Sequence, residues 1–378
     1  MMCSSIKIDP SITDVISLLH VALSELASVK HSLATLQTSY DTLKATTAHN
    51  HHQMMQEIKK LCNSTKKHYT QLTSLPKDVV CEIMSWIHPQ EVWKLRGLSK
   101  SFRDLLSSTR FAALNIARFV PQPVDCFQDT STDADQYDII FFGAPASYQT
   151  EYARMILTKY SRLWWLQPFD KPIPIPWLLE LRDLVELDWM CCSLIGPIPD
   201  EIGRMTSLKL LDLSTNSLEG EIPLAIGNLA NLTILELYDN DGLCGTLPAE
   251  LGNLVLLEKL VIYGTSVMGP IPLEIGNLRN LITLVLDLGI NPTCPSVLIE
   301  ELSNLSRLTT LDLSRCHLVG GIPSSLGRIR SLQHLLLYQN ELEGPVPMEW
   351  STLELETCKL NGNKCLTYSF IPPEGWSV

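Results

Sequence analysis

The sequence contains no run of about 18 consecutive apolar residues, and Met1 to Pro10 lacks a basic stretch leading into an apolar one. Neither a membrane span nor a secretion signal is expected, which points to an intracellular protein, cytoplasmic or nuclear, with no membrane partner. Basic residues are scarce in the second half. From residue 181 onward 24 Asp and Glu stand against 11 Lys and Arg, while the first 180 residues hold 17 against 18, so the formal charge of −12 belongs to the second half. Phosphate backbones bind to basic surface, so nucleic acid is not expected as a ligand there. Catalytic signatures are missing as well: no nucleophile elbow, phosphate-binding glycine loop, zinc-ligand spacing or paired catalytic carboxylates. No catalysis, no cofactor and no metal is expected. His49, His51 and His52 lack a carboxylate or cysteine at ligand spacing and read as a solvated helix face. The eleven cysteines are an odd number and read as mostly reduced; Cys358 and Cys365 are the one pair whose spacing could suit a bridge. Sequons at Asn63, Asn231 and Asn304 carry no glycan consequence without secretion.

What the second half does have is a period. Gly-x-(Ile/Leu/Val)-Pro recurs at Ile198-Pro199, Ile222-Pro223, Leu247-Pro248, Ile271-Pro272, Ile322-Pro323 and Val346-Pro347, in steps of 24, 25, 24, 51 and 24 residues. A constant step of that size means one supersecondary unit stacked on copies of itself. The unit reads most clearly from Leu208, through Leu211, Leu213, Asn216, Leu218, Gly220 and Ile222-Pro223 to Ile226-Gly227 and Leu229; equivalent starts fall at Leu184, Leu232, Leu257, Leu281, Leu308 and Leu332. Leu211-x-Leu213 alternates with period 2, so a short strand turns its leucines inward and Asp212 and Ser214 outward. Asn216 turns the chain, bonding the bend and the next coil; Cys192, Asn240, Thr265, Cys316 and Asn340 occupy the same slot. Gly220 supplies an unusual backbone angle and Pro223 holds Ile222 extended, so the return path is not a long helix.

These residues resemble the leucine-rich repeat, in the Leu-x-Gly-x-Ile-Pro subtype of plant receptors, over roughly residues 181–353. The resemblance implies a leucine-rich-repeat solenoid with a parallel sheet on its concave side and irregular or 3₁₀ turns on its convex side. The repeat from Leu281 is 27 residues long with Cys294-Pro295 in place of Ile-Pro, so an extra loop is expected, and Leu353 to Leu360 reads as a terminal cap.

The first half differs. Ile12, Val15, Leu19, Ala22, Leu26, Val29, Leu33, Leu36, Tyr40 and Leu43 keep a heptad, so residues 1–72 read as an amphipathic helix, either coiled-coil-forming with self-association through residues 12–43 or folded back on the rest of the protein. From Ser74 to Phe111 three short amphipathic helices follow one another, the first carrying Val79, Ile83 and Ile87 as its buried stripe and ending at His88-Pro89. So few residues bury little apolar surface alone, and an adjoining domain or partner is expected to complete the core. Leu75-Pro76-Lys77-Asp78, Glu82-Ile83-Met84, Leu95-Arg96 and Ser99-Lys100-Ser101-Phe102-Arg103 resemble the F-box. That resemblance implies a small all-α F-box-like domain at 73–119 that docks on a Skp-type adaptor of a cullin ubiquitin ligase, through Leu75, Pro76, Ile83, Ile87, Pro89, Val92 and Leu95. Residues 120–180 are read as linker and N-terminal cap: Val120 to Ala134 as linker, Asp138–Gly143 and Leu163–Leu166 as strands, with Trp164 and Trp165 covering the first repeat. Residues 181–378 are the repeat domain.

Binding is expected on the outward strand positions, which stack into columns. Asp188, Asp212, Glu236 and Asp312 give one column its charge, either relieved by a basic segment of a protein client or serving only to keep a solvated sheet soluble; Tyr238, Tyr263 and Tyr338 offer amphipathic contact beside it, and Arg315 is counted with the same face. The expected function is a substrate-recognition adaptor of a ubiquitin ligase. The alternatives are a repeat scaffold or signalling protein with no ubiquitin link, and a receptor-like protein.

Overall fold

In a computed structural model the chain is described at residues 77–97, 99–120, 134, 136–291, 293–373 and 376–377. The heptad segment, the three histidines, Leu75, Pro76 and most of the 120–134 linker lie outside these residues. The chain divides into two compact units, one ending at Ile87 and the other running from His88 to Val378.

The described part of the first unit is helix α1 (Lys77–Met84) and the turn after it. The helix stops at Met84 because the ladder tightens: Trp86 N–H donates to Ile83 O and Ile87 N–H to Met84 O. Ile87 therefore leaves the helical series, and Ile83 and Ile87 of the expected stripe do not share a buried helical face. Val80 and Met84 are the buried helix positions, Ile87 is buried in the turn, and Ile83 is 47% exposed.

In the second unit, α2 (Pro89–Leu95), α3 (Lys100–Leu106) and α4 (Thr109–Phe119) pack on one another. Ser99 and Ser108 cap α3 and α4 by accepting from Phe102 N–H and Phe111 N–H. Pro89 opens α2 where a missing N–H costs nothing. Next come α5 (Gln136–Phe142), α6 (Ala146–Met155) and α7 (Ile175–Glu180). The strand expected at Asp138–Gly143 is thus the helix α5. Its short apolar run fits a buried strand and a buried helix equally, and here Asp138, Phe141 and Phe142 share a helical face, with Tyr152 Oη donating to Asp138 Oδ1 at 2.5 Å. Aromatic rings then connect the helices to the repeats. Trp93 of α2 lies edge-on to Phe141 and Tyr148 at 5.9 and 5.3 Å; Tyr152 meets Trp177, and Trp165 stacks on Trp189 of the first repeat at 5.7 Å. The adjoining layer expected to complete the helices' core is this cap, as far as residues 88–119 are concerned.

The repeats form a ten-stranded parallel sheet that runs from Arg162–Trp164 to Trp376–Ser377, gaining one strand per coil. Between Glu186–Asp188 and Thr357–Lys359 each coil returns through a five-residue 3₁₀ turn, such as Leu224–Asn228 or Ala249–Asn253. Leu208, Leu211, Leu213, Leu218, Ile226 and Leu229 are all fully buried, and each such side chain contributes about 2 kcal/mol of transfer free energy. Gly220 has φ +80°, and a Cβ on Gly227 would sit 2.5 Å from Glu250 O of the next coil, so the turn glycines set coil spacing. The asparagine slot works backward along the stack. Asn240 Nδ2 donates to Leu213 O at 3.0 Å in the preceding coil and to Leu237 O at 3.1 Å in its own, while Oδ1 accepts from Leu218 N–H at 3.1 Å. Asn216 and Asn340 repeat the pattern. Where the slot is cysteine, only the thiol donates: Cys192 Sγ to Trp165 O and Cys316 Sγ to Leu286 O. Burial pushes both thiols up to about 12, so they stay protonated donors.

In the long repeat the extra residues make a loop that Asn291 organises, accepting from Thr293 N–H and donating to Gly269 O. At the C-terminal end the stack continues past Trp350. Thr357–Lys359 joins the main sheet and Asn363 renews the ladder, donating to Leu337 O and accepting from Leu342 N–H. Cys358 is buried on that strand, Cys365 is exposed on another, and both thiols are free.

Candidate functional site

The strand register stacks the outward positions as columns. Asp188 pairs with Asp212, Asp212 with Glu236, Glu236 with Val261, Val261 with Val285, Val285 with Asp312, and Asp312 with Leu336. One step along each strand lies a second column: Met190, Ser214, Tyr238, Tyr263, Asp287, Ser314 and Tyr338.

At Asp188 to Tyr263 the face is covered. Tyr238 and Tyr263 sit on adjacent strands and stack with centroids 4.9 Å apart and planes 7° from parallel. Tyr238 Oη reaches back to Met190 Sδ at 3.4 Å. Asp212, Ser214 and Glu236 are buried in consequence. Lys259, one coil on, forms an ion pair with Glu236, and Ser214 N–H donates to Asp212 Oδ1 at 2.8 Å. Burial lifts the Asp212 carboxyl to about 6, with neighbouring Glu236 adding to the rise; burial also raises Asp188.

At Tyr263 to Tyr338 the face is open. Two small residues, Asp287 and Ser314, separate the flanking tyrosines, so the rings stand three strand spacings apart, about 14 Å, and cannot stack. The gap is a cavity of about 230 Å³ lined by Tyr263, Asp287, Asp312, Ser314, Arg315 and Tyr338, with Val285 and Leu286 also at its wall. Arg315 Nε donates to Gln339 Oε1 at 2.7 Å, and its guanidinium lies 5.9 Å from the Tyr338 ring centroid. Four of the eight expected face residues, Tyr263, Asp312, Arg315 and Tyr338, meet at this cavity. Asp188, Asp212, Glu236 and Tyr238 belong to the covered stretch. Asp287 was not among the expected residues; its slot two places beyond Val285 marked it only as part of a column.

Of the residues expected to dock the adaptor, Leu75 and Pro76 lie outside the described residues, Ile87, Pro89, Val92 and Leu95 are buried, and Ile83 is exposed. Trp86, three residues on and 63% exposed, was not singled out, because its motif position carries no fixed residue type. Trp165 is buried in the cap as expected, while Trp164 is 42% exposed with Arg162 over its ring. Among the described residues no group of three or more His, Cys, Asp or Glu could hold a metal ion, and no helix is long and apolar enough to cross a membrane.

A family model of the F-box domain matches residues 72–113, and one of the leucine-rich repeat matches residues 207–229 and 307–329. Among solved structures, the chain is similar to the repeat ectodomain of the plant membrane receptor kinase GASSHO1/SCHENGEN3 from Arabidopsis thaliana, in complex with Casparian strip integrity factor 2. There the identity is 36%, covering 53% of this chain and 23% of that one, with a TM-score of 0.48. The plant peptide hormone receptor RGFR1, in complex with RGF2, shows 31% identity over 59% of this chain and 34% of that one, with a TM-score of 0.49. A plant ice-binding protein shows 24% identity, 58% and 76% coverage, and a TM-score of 0.43. The chain spans about a quarter to a third of the length of these two receptors. No curated protein matches it. Residues 72–113 are an F-box domain, the sheet is built of leucine-rich repeats, and both are protein-interaction modules.

Proposed function

We propose that this chain, an F-box domain joined to leucine-rich repeats, is a client-recognition adaptor of a Skp-cullin-F-box ubiquitin ligase. The observation that carries the reading is the pairing of the two modules in one chain, a docking domain at 72–113 and a repeat sheet whose open face includes a lined cavity. A Skp-type adaptor meets the exposed Ile83 and Trp86 together with Leu75 and Pro76, while Ile87, Pro89, Val92 and Leu95 hold the helices in place from their cores. Large apolar and aromatic side chains at the centre of a desolvated patch carry most of the binding energy of such interfaces. The sheet face selects a protein client, and residues 12–43 mediate self-association. The adaptor works in the cytoplasm or nucleus and performs no catalysis itself, the ligase core supplying the chemistry.

The test is co-elution of the full chain with a purified Skp-type adaptor on a sizing column. Ile83→Asp and Trp86→Asp each place a charge on an exposed position and leave the helix able to fold, unlike a change at buried Ile87. Co-elution that either substitution abolishes supports the adaptor reading. A chain that runs apart from the adaptor leaves a repeat scaffold independent of ubiquitin as the better description.

A further inference from the structure

We propose that the cavity between Tyr263 and Tyr338 receives a single cationic side chain, lysine or arginine, of the client. This deepens the reading of the repeat face as the client site and rests on it.

Two carboxylates line the cavity, Asp287 and Asp312, against one cation, Arg315. That cation is already engaged, by Gln339 Oε1 and by the Tyr338 ring. The lining therefore keeps an unbalanced negative charge. Burial raises the Asp287 carboxyl above the ordinary range, Arg315 and His317 lower it in part, and Asp312 adds a smaller rise. His317 itself faces Glu341 at 3.8 Å. The second and independent observation is Ser314. It is 5% exposed, lines the cavity, and its Oγ has no hydrogen-bond partner. A buried hydroxyl left in that state costs on the order of 1–3 kcal/mol, which a ligand donor would recover. Its own backbone N–H donates to Asp312 Oδ1 at 3.0 Å and so holds the carboxylate beside the hydroxyl.

The acceptors thus converge as two carboxylates and one hydroxyl, and an ammonium group brings three donors. The alkyl stem has room between the two tyrosines that flank the cavity. A volume of about 230 Å³ falls below the roughly 300–1,000 Å³ of drug-sized ligand sites and suits one inserted side chain. An anionic side chain would meet Asp287 and Asp312 and would have to displace Gln339 from Arg315. In the covered stretch the corresponding Asp212, Ser214 and Glu236 are buried beside the stacked Tyr238 and Tyr263, and Lys259 pairs with Glu236.

Random peptides displayed on phage and selected on the immobilised full-length chain test the proposal. Selected peptides share a lysine or arginine. In fluorescence anisotropy, replacing that residue by norleucine or acetyl-lysine weakens binding at least about tenfold, as expected for a desolvated charge contact. Asp287→Asn weakens the parent peptide similarly and leaves the norleucine peptide unaffected, since the two changes remove one interaction. The norleucine comparison uses the unaltered protein, so it stands whatever the variant does to folding. Selection that yields no binders, peptides that share an acid lost on Arg315→Gln, or a cation whose removal changes nothing would overturn the assignment. None of these residues belongs to the F-box, so adaptor co-elution separates failure of this site from failure of the adaptor reading.

Discussion

The two stretches of the repeat face are made of the same unit and behave oppositely. Between Asp188 and Tyr263 the acids are covered, partnered and closed over by two stacked tyrosines. Between Tyr263 and Tyr338 two acids and a hydroxyl line an unfilled cavity. The difference comes down to which coils carry the large side chains. Tyrosines on neighbouring strands meet and seal the sheet; tyrosines three strands apart leave a gap of their own width. The ladder beneath does not follow that division. Asn240 under the covered stretch and Asn340 under the open one each make several hydrogen bonds, whereas Cys192 and Cys316, one in each stretch, rely on the thiol alone. Tyr263 belongs to both stretches, as stacking partner on one side and cavity wall on the other.

The largest effect is expected in that ladder. Asn240→Ala removes bonds to Leu213 O, Leu237 O and Leu218 N–H in a fully buried place and should cost about 3 kcal/mol in urea unfolding. Cys316→Ala should cost about 1 kcal/mol by the same measurement. Equal losses would mean that asparagine and cysteine serve the slot alike. Lys259→Ala comes next: it leaves Glu236 beside Asp212 with no counter-charge and should destabilise by roughly 2 kcal/mol, below the value for a fully buried pair because Lys259 is 44% exposed. Ser314→Tyr would place a ring next to Tyr338 and fill the open stretch. Peptide affinity should fall at least about tenfold, or about 1.4 kcal/mol, with the melting temperature nearly kept.

The smallest effect concerns pH. The folded Asp212 carboxyl titrates at about 6, above its ordinary 3.8, so the folded protein binds the proton more tightly than the unfolded chain. Its contribution to stability is full below about pH 4 and is lost as pH rises through 6. Asn keeps an oxygen for Ser214 N–H and carries no charge. Asp212→Asn should therefore stabilise the protein at pH 7.5 by roughly 1 kcal/mol, discounted for solvent screening, and the gain should vanish near pH 4. A gain that persists at pH 4 would place the effect elsewhere.

Why one stretch seals was only half visible in the primary structure. The columns followed from the repeat period, because each coil repeats the same inward leucines and every outward residue then has a known neighbour. Tyr238 beside Tyr263 was legible in that way. The Lys259–Glu236 pair was not, since Lys259 sits two residues before the column position and reaches it only through the register of neighbouring coils. Asn363 escaped notice because its coil keeps the ladder but loses the Gly-x-Ile-Pro turn. The cap was harder still. Asp138 to Phe142 is too short for its period to separate strand from helix, and packing against Tyr152 decides it. In the F-box, motif positions identified the domain, yet the motif does not say which side chains stay exposed. Ile83 and Trp86 emerge only once α1 ends at Met84.

The central claim is that one chain carries two separate binding surfaces, one for a Skp-type adaptor and one for a cationic client segment. Isothermal titration of the full chain with purified adaptor and with a selected lysine-containing peptide, repeated on Trp86→Asp and Asp287→Asn, tests it most directly. The account predicts that Trp86→Asp abolishes adaptor binding and leaves the peptide affinity unchanged, while Asp287→Asn does the reverse. A single substitution that removes both ligands, or adaptor binding that survives Trp86→Asp, would contradict it.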